Sequence, residues 1–241
     1  MSLLDPAFIV CALAVLAGAL IQGTGGIGFA MFAAPIVALV RPELVPGPMI
    51  VAGGAVSLLI ALREFRDIDY KGAAIAIGGR IPGSIVAGLV IGLLPRATFS
   101  IFFALLILAA VTLSLGGWRV QATPASLAVA GFGSGLMGTI TSVGAPPMGI
   151  VMQNMAAPVL RATVGAFLVA GSVVSLGVLA MAGRFGLHEL QMGLALLVPM
   201  ALGFALSNVL VRYVNARAMR LTVLGISGLS AIVLLVQTLR P

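Results

Sequence analysis

Residues 6–40 carry no charged side chain. As one straight helix those 35 residues would run about 52 Å, against a hydrocarbon core of roughly 30 Å. Two full crossings need about 40 residues plus a turn. A run too long for one crossing and short for two must fold back on itself. Its middle supplies the break: Gly23-Thr24-Gly25-Gly26-Ile27-Gly28-Phe29-Ala30 puts four glycines into six positions. Each is about 1 kcal/mol worse than alanine inside a helix. The pattern predicts a hairpin of two short helices turning near residues 23–28. Irregular backbone at membrane depth is tolerated only where protein or a wet cavity surrounds it.

Composition supports the membrane reading. Of 241 residues 61% are hydrophobic and 8% charged, where a soluble domain carries about 25% charge. Apolar runs of helical length exclude an outer-membrane barrel, whose strands alternate over about 10 residues. The first residues show neither a basic n-region nor a small-residue cleavage site, so no cleavable signal peptide is expected. The net charge is +7. The basic residues sit at the ends of apolar segments, as topology signals do, and form no aromatic-laced face for nucleic acid. With Cys11 and His188 the only cysteine and histidine, no internal disulfide, redox pair or metal cluster can form. No cofactor is expected. The spans hold no His, Cys or carboxylate cluster for acid–base chemistry, so no enzyme is expected.

Charges divide the remainder into spans at about 44–62, 72–93 and 97–116, the last followed by Trp118, which suits an interfacial anchor. A second uncharged stretch, residues 120–160, is again broken by Gly, Thr, Ser and Pro, and spans follow at about 163–182, 190–211 and 219–239. The chain thus divides into two halves, 1–119 and 120–241. Gly28 aligns with Gly144, Pro42 with Pro158, Gly53 with Gly171, Ser57 with Ser175, Pro82 with Pro199 and Arg96 with Arg217. If each hairpin returns to its starting side, three further crossings per half invert the halves. Arg63, Arg66, Lys71, Arg119, Arg161, Arg212, Arg217 and Arg220 then share one side, against Arg41, Arg96, Arg184 and Arg240. That excess marks the first side as cytoplasmic and puts both termini outside. If each uncharged stretch instead crosses once, the charges split evenly and orient nothing. The expected fold is an all-α polytopic membrane protein of two inverted repeats, each an interrupted helical hairpin plus three transmembrane helices.

Glycine- or proline-interrupted apolar segments at matching places in two halves point to a transporter binding site. In the first interruption, Gly23, Gly25, Gly26 and Gly28 expose backbone amides, and a helix starting just after them aims its positive end at the turn. Gln22 and Thr24 can add hydrogen bonds. The alternative is close helix packing by small residues. In the second, Gly138, Thr139, Thr141, Ser142, Gly144, Pro146 and Pro147 place the turn just before the prolines, which start helices but lack the amide to continue them. The hydroxyls are candidate ligands or bond back to their own helix. Gln153 and Asn154 lie on the returning limb, as ligands or at an interface. Arg80, about 12 Å into its span, is the lone charge inside an apolar run. It faces a cavity and a bound anion, or snorkels to the nearer interface. The lack of Asp or Glu within any span argues against carboxylate proton relays and cation carriage.

These features resemble the sulfite exporter TauE/SafE family. The resemblance rests on Gly-Thr-Gly-Gly-Ile-Gly-Phe-Ala at 23–30 with Pro35 downstream, and on Gly-Phe-Gly-Ser-Gly-Leu-Met-Gly at 131–138 followed by Ser-Val-Gly-Ala-Pro-Pro at 142–147. Arg96 and Arg217, each opening the last span of its half, also look like that family. The second motif departs from the Gly-rich form at Thr141, Ser142 and Ala145. The resemblance implies a compact two-half membrane protein exporting sulfite or small organosulfonates such as sulfoacetate across the inner membrane by alternating access. The expected partners are a small anion and the lipid bilayer, with a homo-oligomer left open. An anion channel and a non-transporting scaffold are the alternatives.

Overall fold

The computed structural model describes residues 5–93, 95–117, 120–210 and 216–239. It is all helix, with no strand among the described residues. The first uncharged stretch forms α1 (Pro6–Gly25) and α2 (Phe29–Val40). Asp5 caps α1 by accepting from the Ala7 amide at 3.3 Å, and Pro6 occupies the first turn, where its missing amide costs nothing. The helix stops at Gly26, whose φ of 80° is open to glycine, and Gly28 follows at φ 127°. The chain then reverses. An ion pair between Arg41 and Asp5 ties the two ends of the hairpin together. The expectation of two short limbs needs correction: α1 has 20 residues and α2 has 12. Only the returning limb is cut short, because the glycines lie late in the stretch.

Next come α3 (Gly47–Arg63), α4 (Tyr70–Leu93) and α5 (Arg96–Leu115). The second hairpin is α6 (Pro124–Thr141) and α7 (Ala145–Val151), and it is followed by α8 (Ala157–Met181), α9 (Leu187–Ala195), α10 (Leu197–Leu210) and α11 (Ala216–Leu239). Thr123 and Ser126 form a reciprocal capping box that starts α6. The span expected as continuous over 190–211 is broken at Leu196. Pro199 has no amide for the Ala195 carbonyl, and the ladder lapses one turn before it. Among the described residues six stretches are long and apolar enough to cross a membrane: α1, α4, α5, α8, residues 187–210, and α11. The chain is a multi-pass membrane protein. Trp118, Arg119, Arg212 and Arg240, and the side chains of Arg96 and Arg217, lie outside the described residues.

The helices pack in exchanged pairs. Helix α4 runs along α6 while α1 runs along α10; α3 pairs with α8 and α5 with α11; α2 lies on α11 and α7 on α5. The α4–α6 contact is close enough for backbone to touch backbone. A Cβ on Gly83 would strike the Phe132 carbonyl, and one on Gly135 the Arg80 carbonyl. Small residues at such crossings let helices approach where no hydrophobic drive joins them in lipid. Pro35 sits inside α2 and leaves the Met31 carbonyl without its helical amide. Ser227 of α11 sets its hydroxyl between that carbonyl and the Val223 carbonyl of its own helix, 2.7 Å away, and so brings a donor to the gap.

Candidate functional site

The two interruptions reach opposite ends of α3. At one end, Arg63 Nη2 donates to the Gly23 carbonyl at 2.8 Å, and Arg161 packs its side-chain stem on Gly26. Arg161 also holds Glu64 through Nε and Nη2, at 3.0 and 2.8 Å. At the other end, Ser142 Oγ donates to the Pro46 carbonyl at 3.0 Å. Between the two turns lies a cavity of about 270 Å³. Helix α3 turns one face to it through Ile50, Gly53 and Ser57, and α8 adds Leu168 and Ser172. Met219 and Arg220 of α11 line it beside Ser114, at the end shared by Arg63 and Arg161. A second cavity, about 530 Å³, lies beyond Pro46, among Glu43, Arg184 and Glu189. The Ser142–Pro46 bond joins a residue of the first wall to a residue of the second.

Arg80 lies on the wall of the first cavity, ten residues past the start of α4 and 3% exposed. Its Nη1 donates to Ser134 Oγ of α6 at 2.8 Å, and its Nη2 to Ser175 Oγ of α8 at 3.4 Å. The guanidinium stands over the Phe167 ring, 5.0 Å from its centroid, a favourable place for a cation. Ser134 passes its own proton to the Gly144 carbonyl, and Ser175 shares a 2.8 Å hydrogen bond with Thr139. Three glycines shape the socket. A Cβ on Gly171 would overlap the guanidinium, and one on Gly138 or Gly144 would lie 3.1 Å from its nitrogens. Among the described residues Arg80 pairs with no carboxylate; the ion pairs formed use Asp5, Glu43 and Glu64. Its Nε has no hydrogen-bond partner, and one turn on, Ser84 Oγ has none either.

Of the residues singled out in the sequence, Gln22, Gly25, Gly28, Arg80, Gly138, Ser142, Gly144 and Pro146 come together on this cavity. Gln22 serves the turn: its Oε1 accepts from the Phe29 amide at the start of α2 at 3.1 Å, and its Nε2 donates to Ser57 at 2.9 Å. The others lie off the wall. Gly23 abuts Ser207 of α10. Thr24 donates to the Ile21 carbonyl at 2.8 Å and to Met219 Sδ at 3.4 Å. Gly26 lies under Arg161. Thr139 is bound to Ser175, and Thr141 bonds back to the Met137 carbonyl at 2.7 Å while accepting from the Val143 amide. Gln153 and Asn154 are exposed at the end of α7. Reading the sequence missed Ser134, Phe167, Gly171 and Ser175 as the socket of Arg80. The signal was there in the four-residue spacings Ser134–Gly138 and Gly171–Ser175, each of which lines one helix face.

A fixed guanidinium on the wall of an internal cavity, with no acid beside it among the described residues, has the chemistry to make charge-assisted hydrogen bonds to an anion. The fold and this site define the class: a polytopic helical membrane protein built around a cation-bearing cavity. Residues 10–234 match the family model described as Sulfite exporter TauE/SafE. That match spans nearly the whole chain, and the protein belongs to the TauE/SafE sulfite exporter family, a family of exporter-type transporters for sulfur anions. No curated protein and no solved structure gives a match.

Proposed function

We propose that the protein exports a small sulfur-containing anion, sulfite or an organosulfonate such as sulfoacetate, across the cytoplasmic membrane by alternating access. The observation that carries this reading is Arg80: a guanidinium buried on a cavity wall between two helix breaks, with no carboxylate among the described residues to neutralise it. An anion supplies the missing charge. A negative-inside potential favours its exit by about 2.3 kcal/mol per charge per 100 mV.

Residues 1–119 and 120–241 act as two inverted repeats that rock about the site. The exchange of packing partners between halves supports this, α1 with α10 mirroring α6 with α4. Arg220 stands on the wall of the first cavity, at the end shared by Arg63 and Arg161, which the charge bias makes the cytoplasmic side. At the other end the Ser142–Pro46 hydrogen bond stands between the first cavity and the second, which supports reading this as an inward-facing arrangement.

The test is flux of labelled sulfite and sulfoacetate in proteoliposomes, with and without an imposed potential. The expected result is saturable flux that follows the sign of the potential, with each anion competing against the other. Folded protein that moves neither anion overturns the reading, and flux that never saturates replaces the carrier with a channel.

A further inference from the structure

The cavity carries more information than the sign of its ligand. We propose that it is built for an amphipathic monoanion, with one sulfonate-type head at Arg80 and a compact apolar body against α2, α3 and α11. This rests on the anion-export reading above and narrows it.

A small oxyanion stripped of water needs hydrogen bonds around all its oxygens. Three serine hydroxyls on this wall already donate elsewhere: Ser57 to the Gly53 carbonyl at 2.7 Å, Ser142 to Pro46 at 3.0 Å and Ser172 to Leu168 at 2.8 Å. Each can accept from a ligand but gives an anion no proton. At the buried end the donating charge is therefore Arg80 alone, and one buried cation balances one negative charge. The other cation on the wall, Arg220, is exposed and held by the Ser114 carbonyl, so water screens it. A second anionic group on the ligand would find no second buried cation on this wall.

The remaining wall is hydrocarbon. Ile21, Ile27, Met31, Ile50, Val223 and Leu224 all face the same space. A volume of about 270 Å³ leaves room well beyond a sulfite ion. Apolar walls lower the free energy of a ligand that brings its own methylenes, and they give nothing to a bare dianion.

The experiment is a ligand series on the full-length protein in proteoliposomes. Methane-, ethane-, propane- and butanesulfonate, with sulfoacetate, compete against labelled sulfite flux, and the same compounds are scored by thermal shift of the purified protein. The inhibition constant should fall about threefold to fourfold per added methylene, the worth of a buried CH₂, with sulfoacetate weaker than propanesulfonate. Ala30→Leu, which adds bulk to the wall away from the socket of Arg80, should abolish the advantage of butane- over methanesulfonate. Inhibition constants that do not change with chain length, or tighter binding of sulfoacetate, overturn the inference and leave sulfur-anion export standing. An unchanged chain-length preference in Ala30→Leu overturns the placement of the tail. If no anion moves, competes or shifts the melting temperature, the inference and the export reading fall together.

Discussion

Arg80 enters a span where an arginine at the helix centre costs about 2.5–3.5 kcal/mol by insertion measurements. The fold offsets that cost locally with Ser134, Ser175 and the Phe167 ring, and leaves the charge itself unmatched. Arg80→Leu should therefore keep the protein folded, because Ser134 and Ser175 retain Gly144 and Thr139 as partners. It should lower kcat/KM for anion flux at least about tenfold, in line with one lost bond to a charged group. Arg80→Lys, which keeps the charge and loses the fork, should fall between the two. Wild-type flux in Arg80→Leu would remove Arg80 from the site. Gly171→Ala gives a test whose sign discriminates. In an ordinary helix interior the change stabilises by about 1 kcal/mol. Here the new methyl meets the guanidinium, and a loss of about 1–3 kcal/mol is expected; a raised melting temperature would show that the socket is looser than described. Arg80 was legible in the sequence as a lone charge in an apolar run. Its socket was not, since Ser134 and Ser175 come from helices 54 and 95 residues away along the chain.

At the scale of the element, the breaks follow from backbone chemistry. Gly26 holds φ 80°, a left-handed conformation that costs other residues about 1–2 kcal/mol. Gly26→Ala should destabilise by that amount or more, because its Cβ also meets Arg161; an unchanged melting temperature would contradict the turn. Ser142 takes the same conformation at φ 67° without being glycine, and nothing in the composition of residues 138–147 foretold it. The bond from Ser227 to the Met31 carbonyl gives a coupled test. Ser227→Ala should cost about 1–3 kcal/mol, the penalty for leaving a buried acceptor unpaired. With Pro35→Ala restoring the helical amide, the same substitution should cost little, and a double-mutant cycle measures the difference. Equal costs in the two backgrounds would mean that the serine does not compensate the proline.

For the whole molecule, sidedness is the property to measure. The only native cysteine, Cys11, is fully buried and gives a silent background. Met219→Cys on the first cavity should react with a membrane-impermeant thiol reagent from the cytoplasmic side, and substrate should slow that reaction. His188→Cys, exposed at the start of α9, should react from the outside. Labelling of both from one face would overturn the inverted arrangement and the inward-facing assignment together.

The sequence alone determined the rough extent of the apolar stretches, both interruptions and the exceptional status of Arg80. Those follow from local quantities: hydropathy summed over a span, glycine's lack of a Cβ, proline's lack of an amide. Only the tertiary structure decided which interruption residues face a cavity. Thr24, Thr139 and Thr141 look like ligands in one dimension, but Thr24 and Thr141 donate to carbonyls of their own helices and Thr139 is hydrogen-bonded to Ser175. It also decided that the limbs of the first hairpin are unequal and that the two turns lie at opposite ends of α3. Burial and pairing depend on residues far apart in the chain, and a hydroxyl's partner is fixed by which helix packs against it, which no local property of the sequence encodes.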